Sequence, residues 1–81
     1  MRAILPEPFV QQLLKAPPDI QRRFLKQLGY LLRDLLHPGL HAKKYDDARN
    51  IWQARVNGGW RFYFRIESDT YIVESIRAHP K

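Results

Sequence analysis

The chain has 81 residues, a formal net charge of +6 and no cysteine. We expect one small domain over residues 1–81, and without cysteine it has neither a disulfide framework nor a thiolate metal site, as suits a reducing cytoplasm. No apolar stretch approaches the roughly 20 residues of a membrane span, so we expect a soluble protein. The charge favours a polyanionic partner, whether nucleic acid, an acidic protein or an anionic membrane surface.

The first half of the chain is predicted to be mostly helical. Residues 1–5 could form a short strand, and apolar residues at helical spacing then predict a helix over residues 6–15. The proline pair that follows ends it, because the residue before a proline is disfavoured in a helix. A second helix is predicted over residues 18–36, with an apolar stripe of Ile20, Phe24, Leu25, Leu28, Leu31, Leu32, Leu35 and Leu36. Gly29 lies within this helix, where we expect a close approach of the sheet.

The second half has the pattern of an antiparallel meander. Runs rich in β-branched and aromatic residues predict strands over residues 51–56, 60–66 and 70–77, separated by two turn sequences. The polar segment 40–50 has no hydrophobic period and is predicted to be a loop. The predicted fold class is α+β, with an N-terminal two-helix hairpin packed on one face of a small antiparallel sheet.

Alternation along the strands assigns their side chains to two faces. The apolar face, expected to meet the helices, carries Trp52, Ala54, Val56, Trp60, Phe62, Phe64, Ile66, Ile72, Glu74 and Ile76. The basic face carries Gln53, Arg55, Arg61, Tyr63, Arg65, Tyr71, Val73, Ser75, Arg77 and His79. The most buried residues should include Leu28, Leu31, Trp52, Phe62 and Phe64. Glu74 has no explanation on an apolar face.

The basic face carries the candidate chemistry, because no nucleotide-binding glycine loop, serine elbow or paired-histidine zinc motif is present. His37 and His41 have no carboxylate at metal-ligand spacing, so neither a metal nor a cofactor is predicted. Fixed cations bind phosphate oxygens, and His79 can transfer a proton. The cations are Arg55, Arg61 and Arg77, with Lys43 and Lys44 from the loop. This equipment suits metal-free RNA cleavage, and a solvated strand face is the alternative.

Four short motifs add a family resemblance: Leu40-x-x-Lys43-Lys44, Trp52-x-x-Arg55-Val56, Trp60-Arg61-Phe62 and Ile76-x-x-His79. With the helices before them, they resemble the RelE/ParE superfamily of bacterial type II toxins, which includes RelE-, YoeB- and HigB-like proteins. The resemblance covers nearly the whole chain. It implies a cytoplasmic toxin that cleaves mRNA on the ribosome, with no membrane partner, and a cognate antitoxin, which we expect to be acidic. A non-enzymatic toxin acting on DNA gyrase and a non-toxic binding module are the alternatives.

The resemblance also implies roles for single residues. Arg61 matches an arginine that binds the scissile phosphate, and His79 matches a C-terminal histidine that acts as general acid. Arg55 matches a basic residue of the preceding strand, and Gln53 stands where some relatives have lysine. RNA-binding roles are thus expected for Lys43, Lys44, Gln53, Arg55 and Arg77. The general base stays open between Asp46, Asp47 and Lys44.

Overall fold

Two helices lie on one face of a five-stranded sheet in the computed structural model, which describes residues 1–79. The helices are α1 (Glu7–Lys15) and α2 (Pro18–Arg33), and a short 3-10 turn follows at Pro38–Leu40. The strands are β1 (Arg2–Ile4), β2 (Lys43–Asp46), β3 (Ile51–Asn57), β4 (Trp60–Glu67) and β5 (Thr70–Ala78), in the spatial order β1-β5-β4-β3-β2. The β1–β5 pair is parallel and the others are antiparallel. The predicted fold class is confirmed.

Helix α2 ends at Arg33, three residues before the predicted end. Asp34 is extended at φ −162° and ψ 109°, and its carboxylate accepts a hydrogen bond from the Leu36 amide at 2.9 Å. An aspartate that bonds its own backbone two residues further on stabilises a turn in place of helix. Leu35 and Leu36 therefore lie outside the helix, although their spacing continues the apolar stripe.

The prediction for Gly29 was wrong. Gly29 is exposed, and a Cβ added there would have no heavy atom within 4 Å. The sheet does not approach it.

The segment predicted as a loop contains strand β2. Lys43 pairs with Gln53 and Lys44 with Trp52, so this strand forms one edge of the sheet. Its sequence has no alternation because an edge strand exposed on both sides needs no apolar face, and lysines are common there. The polarity of the segment therefore concealed the strand.

A chain of aromatic contacts joins the helices to the sheet. The ring centroid of Phe24 lies 5.2 Å from that of Phe9 and 5.2 Å from that of Phe62. Phe62, Phe64 and Leu31 are fully buried as predicted. Trp52 and Leu28 are only partly buried and pack at the margin of the core. No helix within residues 1–79 is long and apolar enough to cross a membrane.

A β-bulge at Glu74 corrects the face assignment of β5. Tyr63 pairs with Ser75 but Phe64 pairs with Val73, so Glu74 is the extra residue. The bulge reverses the alternation, and Tyr71 and Val73, predicted on the basic face, are buried in the core. Glu74 leaves the apolar face where it had no explanation.

Gly29→Ala should stabilise the protein, because alanine is the better helix former and its methyl group meets nothing. We expect the free energy of unfolding to rise by roughly 0.5–1 kcal/mol, measured by chemical denaturation. Gly39→Ala is the control, since its Cβ would lie 3.2 Å from the His37 ring. A loss of stability in Gly29→Ala would contradict the open environment of Gly29.

Candidate active site

A cavity of about 450 Å³ opens on the sheet face away from the helices. The segment before β2, the strands β2, β3 and β4, and the residue after β5 all contribute side chains to it. The lining residues are His41, Ala42, Lys43, Gln53, Arg55, Arg61 and His79. We call this cavity the arginine pocket. Of the predicted site residues, Lys44 and Arg77 do not line it.

Three arginines lie in a row across neighbouring strands at this place. Arg55 pairs with Arg61, and Arg61 pairs with Arg77. Like charges directly opposite each other destabilise a sheet. Among the described residues that line the arginine pocket there is no carboxylate to offset the repulsion. An anion bound in the pocket would relieve it.

The Arg55 side chain also has a hydrogen-bond donor without an acceptor among the described residues. Its Nε is buried and has no hydrogen-bond acceptor within residues 1–79. A buried donor without an acceptor is unfavourable by about 1–3 kcal/mol, and such groups in native structures call for an explanation. Because solvent does not reach this atom, a phosphate oxygen in the pocket would become its acceptor only if the Arg55 side chain shifts.

The β3–β4 turn holds Arg61 and His79 together. Arg61 Nη1 donates to the carbonyl oxygens of Asn57 at 2.7 Å and Trp60 at 3.0 Å. The backbone amide of His79 donates to the carbonyl of Gly59 at 2.7 Å. The Asn57 side chain accepts from the Gly59 amide at 2.8 Å, which closes the turn. One turn therefore positions Arg61, the candidate phosphate ligand, and His79, the candidate proton donor, while the His79 imidazole stays exposed.

A buried amide holds the opposite side of the pocket. Gln27 of α2 is 1% exposed, and its Nε2 donates to the Gly39 carbonyl at 2.9 Å and to the Arg55 carbonyl at 2.8 Å. Gly39 lies in the 3-10 turn that leads into His41, which has a left-handed backbone at φ 47°. Gln27 thus fixes the approach to His41 and the strand that carries Arg55.

His41 is the pocket residue that the sequence analysis missed, because it was considered there only as a metal ligand. A signal was available: His41 lies two residues before Lys43, in the same segment that was expected to bring cations to the sheet edge. The arginine pocket therefore contains two histidines, His41 and His79.

The three candidates for the general base lie outside the pocket. Lys44 Nζ lies 5.3 Å from the ring centroid of Trp52, a residue of the apolar face. Asp46 accepts a hydrogen bond from the Arg49 amide at 3.2 Å, and Asp47 pairs with Lys44 at 3.9 Å. The structure brings none of the three to the arginines. Lys44 is likewise separated from the other predicted RNA-binding residues.

Arg65 does not extend the basic row. Its guanidinium forms ion pairs with Glu67 and with Glu74, the residue that the bulge moved off the apolar face. The hydrogen bond that Arg65 donates to the Glu74 carboxylate raises the pKa of Arg65, and the charges of Glu74 and Glu67 add to the effect. The face predicted to be basic throughout is therefore basic mainly near the β3–β4 turn.

No protein-family model and no curated protein matches the sequence. Solved toxin structures do match. The RelBE2 toxin–antitoxin complex from Mycobacterium tuberculosis has a TM-score of 0.78 at 21% identity, covering 96% of this chain and 96% of that chain. The RelB–RelE antitoxin–toxin complex from Methanococcus jannaschii has a TM-score of 0.76 at 21% identity, covering 93% and 88%. The YoeB dimer from Staphylococcus aureus has a TM-score of 0.79 at 10% identity, covering 99% and 98%.

This chain has the RelE-like toxin fold. The fold expected from the resemblance is thus confirmed. Identities of 10–21% establish a shared RelE-like fold and no shared activity. The roles of the site residues stay predictions. They are supported by the side chains that line the arginine pocket.

Gln27→Leu should destabilise this RelE-like fold, because it leaves the carbonyls of Gly39 and Arg55 buried without their donor. We expect a loss of about 1–3 kcal/mol in the free energy of unfolding. Gln11→Leu is the matched control: Gln11 is exposed and donates only to Glu7, so its change should stay within about 0.5 kcal/mol. Equal stability of the two variants would contradict the importance of the Gln27 amide.

Proposed function

We propose that this protein is the toxin of a type II toxin–antitoxin system and a member of the RelE/ParE superfamily. Its activity would be ribosome-dependent, metal-free cleavage of mRNA. The observation that carries the proposal is that two arginines, Arg55 and Arg61, line one cavity together with two histidines. Arginine guanidinium groups bind phosphate oxygens, and paired imidazoles supply acid and base.

The proposed reaction is attack of an RNA 2′-oxygen on the adjacent phosphorus. His41 accepts the 2′-hydroxyl proton, the bond from phosphorus to the 5′-oxygen breaks, and His79 gives its proton to the departing 5′-oxygen. The products are a 2′,3′-cyclic phosphate and a 5′-hydroxyl. Arg55 and Arg61 bind the non-bridging oxygens, where negative charge develops in the transition state. This assigns the base to His41 in place of the aspartates and Lys44.

The similar structures also support a proposal about partners. Several of the similar structures are complexes of a toxin with its antitoxin, including RelB–RelE and YoeB–YefM. We propose that a cognate antitoxin binds this chain and that an acidic segment of the antitoxin covers the arginine pocket. The complex would form in the cytoplasm. Ion pairs with the arginines would neutralise the toxin by excluding RNA.

His79→Ala should abolish growth arrest and slow mRNA cleavage steeply. The loss of a general acid lowers a rate by about 10²- to 10⁴-fold, whereas the melting temperature should hardly change, because His79 contributes its backbone amide, not its ring, to the β3–β4 turn. Arg61→Ala should also inactivate, but it loses hydrogen bonds to the turn and some stability with them. Toeprinting on programmed ribosomes measures cleavage, and Arg22→Ala on the exposed side of α2 is the control.

The dependence of the cleavage rate on pH distinguishes the two histidines. A base must be neutral and an acid protonated, so the wild-type rate should rise and then fall as pH increases. His41→Ala should remove the rising limb, and His79→Ala the falling limb. Full cleavage by both variants would refute the nuclease mechanism, and growth arrest without any cleavage would fit a gyrase-directed toxin instead.

The association rate of toxin and antitoxin should fall as salt rises, because ions screen the attraction between the basic pocket and the acidic segment. Stopped-flow mixing at low and high ionic strength measures it. Lys43→Ala should weaken the salt dependence more than Lys26→Ala, which removes an equal charge from α2. An association rate unchanged by salt argues against this binding mode.

A further inference from the structure

A second hollow of about 400 Å³ adjoins the arginine pocket. Its lining residues are Tyr45, Gln53, Tyr63, Arg77, Ala78 and His79. Gln53 and His79 line both cavities. A chain molecule held in the first cavity could therefore extend into the second without leaving the protein surface.

The walls of this hollow are aromatic and cationic. Tyr63 lines the hollow and is almost buried, with 8% of its surface exposed. The Tyr45 ring meets the Tyr63 ring edge-on, with centroids 4.9 Å apart at 64°, and the guanidinium carbon of Arg77 lies 4.3 Å from the Tyr63 centroid. Arg77, which does not reach the arginine pocket, is thus placed here.

Tyr45 is the exposed aromatic residue of this hollow. Its side chain is 55% exposed, and it is the one aromatic residue of β2, whose other residues are polar. The strand pairing shifts between Lys44 and Asp46, which makes Tyr45 the bulged residue, and bulges redirect side chains near binding sites. Its ring lies on the sheet face away from the helices and adds nothing to the core. A single exposed aromatic residue would be ordinary, but this one borders a hollow that shares lining residues with the cationic arginine pocket.

The ligand chemistry that fits is a flat aromatic group attached to a phosphate. Bases of single-stranded RNA stack on exposed tyrosine rings and on arginine guanidinium planes, and stacking tolerates any base because every base has a π face. The carboxylates of an acidic protein segment would pair with the arginines, but they have no flat aromatic face to stack on Tyr45.

We propose that the hollow formed by Tyr45, Tyr63 and Arg77 is a nucleobase subsite. It takes the base of a nucleotide next to the phosphate held in the arginine pocket, and Tyr45 is the stacking platform. This proposal rests on the proposed function in assuming an RNA ligand. It adds a binding role for Tyr45, and it predicts little preference among the four bases.

The test compares binding of two short oligoribonucleotides, measured by fluorescence anisotropy. Both are fully 2′-O-methylated, so that no 2′-hydroxyl can attack, and one carries abasic sugars in place of its bases. The wild-type protein should bind the base-containing strand about tenfold more tightly than the abasic one, the scale of one base–aromatic stack. Tyr45→Ala should lose that preference, whereas Tyr45→Phe, which keeps the ring, should retain it.

Several outcomes would overturn the subsite. One is equal affinity of the wild-type protein for the two strands, and another is no measurable binding of either. A third is a base preference that survives in Tyr45→Ala. Equal weakening of both strands in Tyr45→Ala would assign Tyr45 to a contact with the sugar–phosphate backbone that the two strands share, which also overturns the subsite. Each leaves cleavage by His41 and His79 to be decided separately, since the methylated strands report binding without reaction.

Discussion

The buried amide of Gln27 is the constraint on which the arrangement of the site depends. One nitrogen donates to carbonyls in two different segments, the turn at Gly39 and strand β3 at Arg55. Such a group is costly to leave unpaired in a core of low polarity, so α2 is held in one position over the sheet. The helix layer, which lies on the other face of the sheet, thereby sets the distance between the two sides of the arginine pocket.

The β3–β4 turn provides the complementary constraint through the backbone. Its carbonyl oxygens accept hydrogen bonds from the Arg61 guanidinium, in the strand that follows it, and from the backbone amide of His79, 20 residues after Gly59. The His79 ring makes none of these contacts, so it can be replaced without loss of the turn, whereas replacing Arg61 removes hydrogen bonds to it. The site thus combines a rigid frame with exposed imidazoles.

The strands and helices were largely predictable because their hydrophobic periods are strong, and the strands β3 to β5 lie within one residue of their predicted ends. Local features that have no hydrophobic period were not predictable. The bulge at Glu74 breaks the alternation, so the sequence pattern placed it on the wrong face. Gln27 is a polar residue beside an apolar stripe, and its role depends on carbonyls brought near it by the fold. His41 joins His79 only through the pairing of β2 with β3, and an edge strand of polar residues gives no signal for that pairing.

The two carboxylates around Arg65 limit how strongly this surface can attract free RNA. With Arg65 paired, the cations beside the two cavities are Lys43, Arg55, Arg61 and Arg77. Neutralising about four phosphates releases few condensed counterions, and the logarithm of affinity would fall with the logarithm of salt with a slope of only about −3. Binding of that kind is weak in the cell. If the pocket cleaves mRNA as proposed, a ribosome that already holds the strand in place would supply the local concentration that the protein's own charge does not.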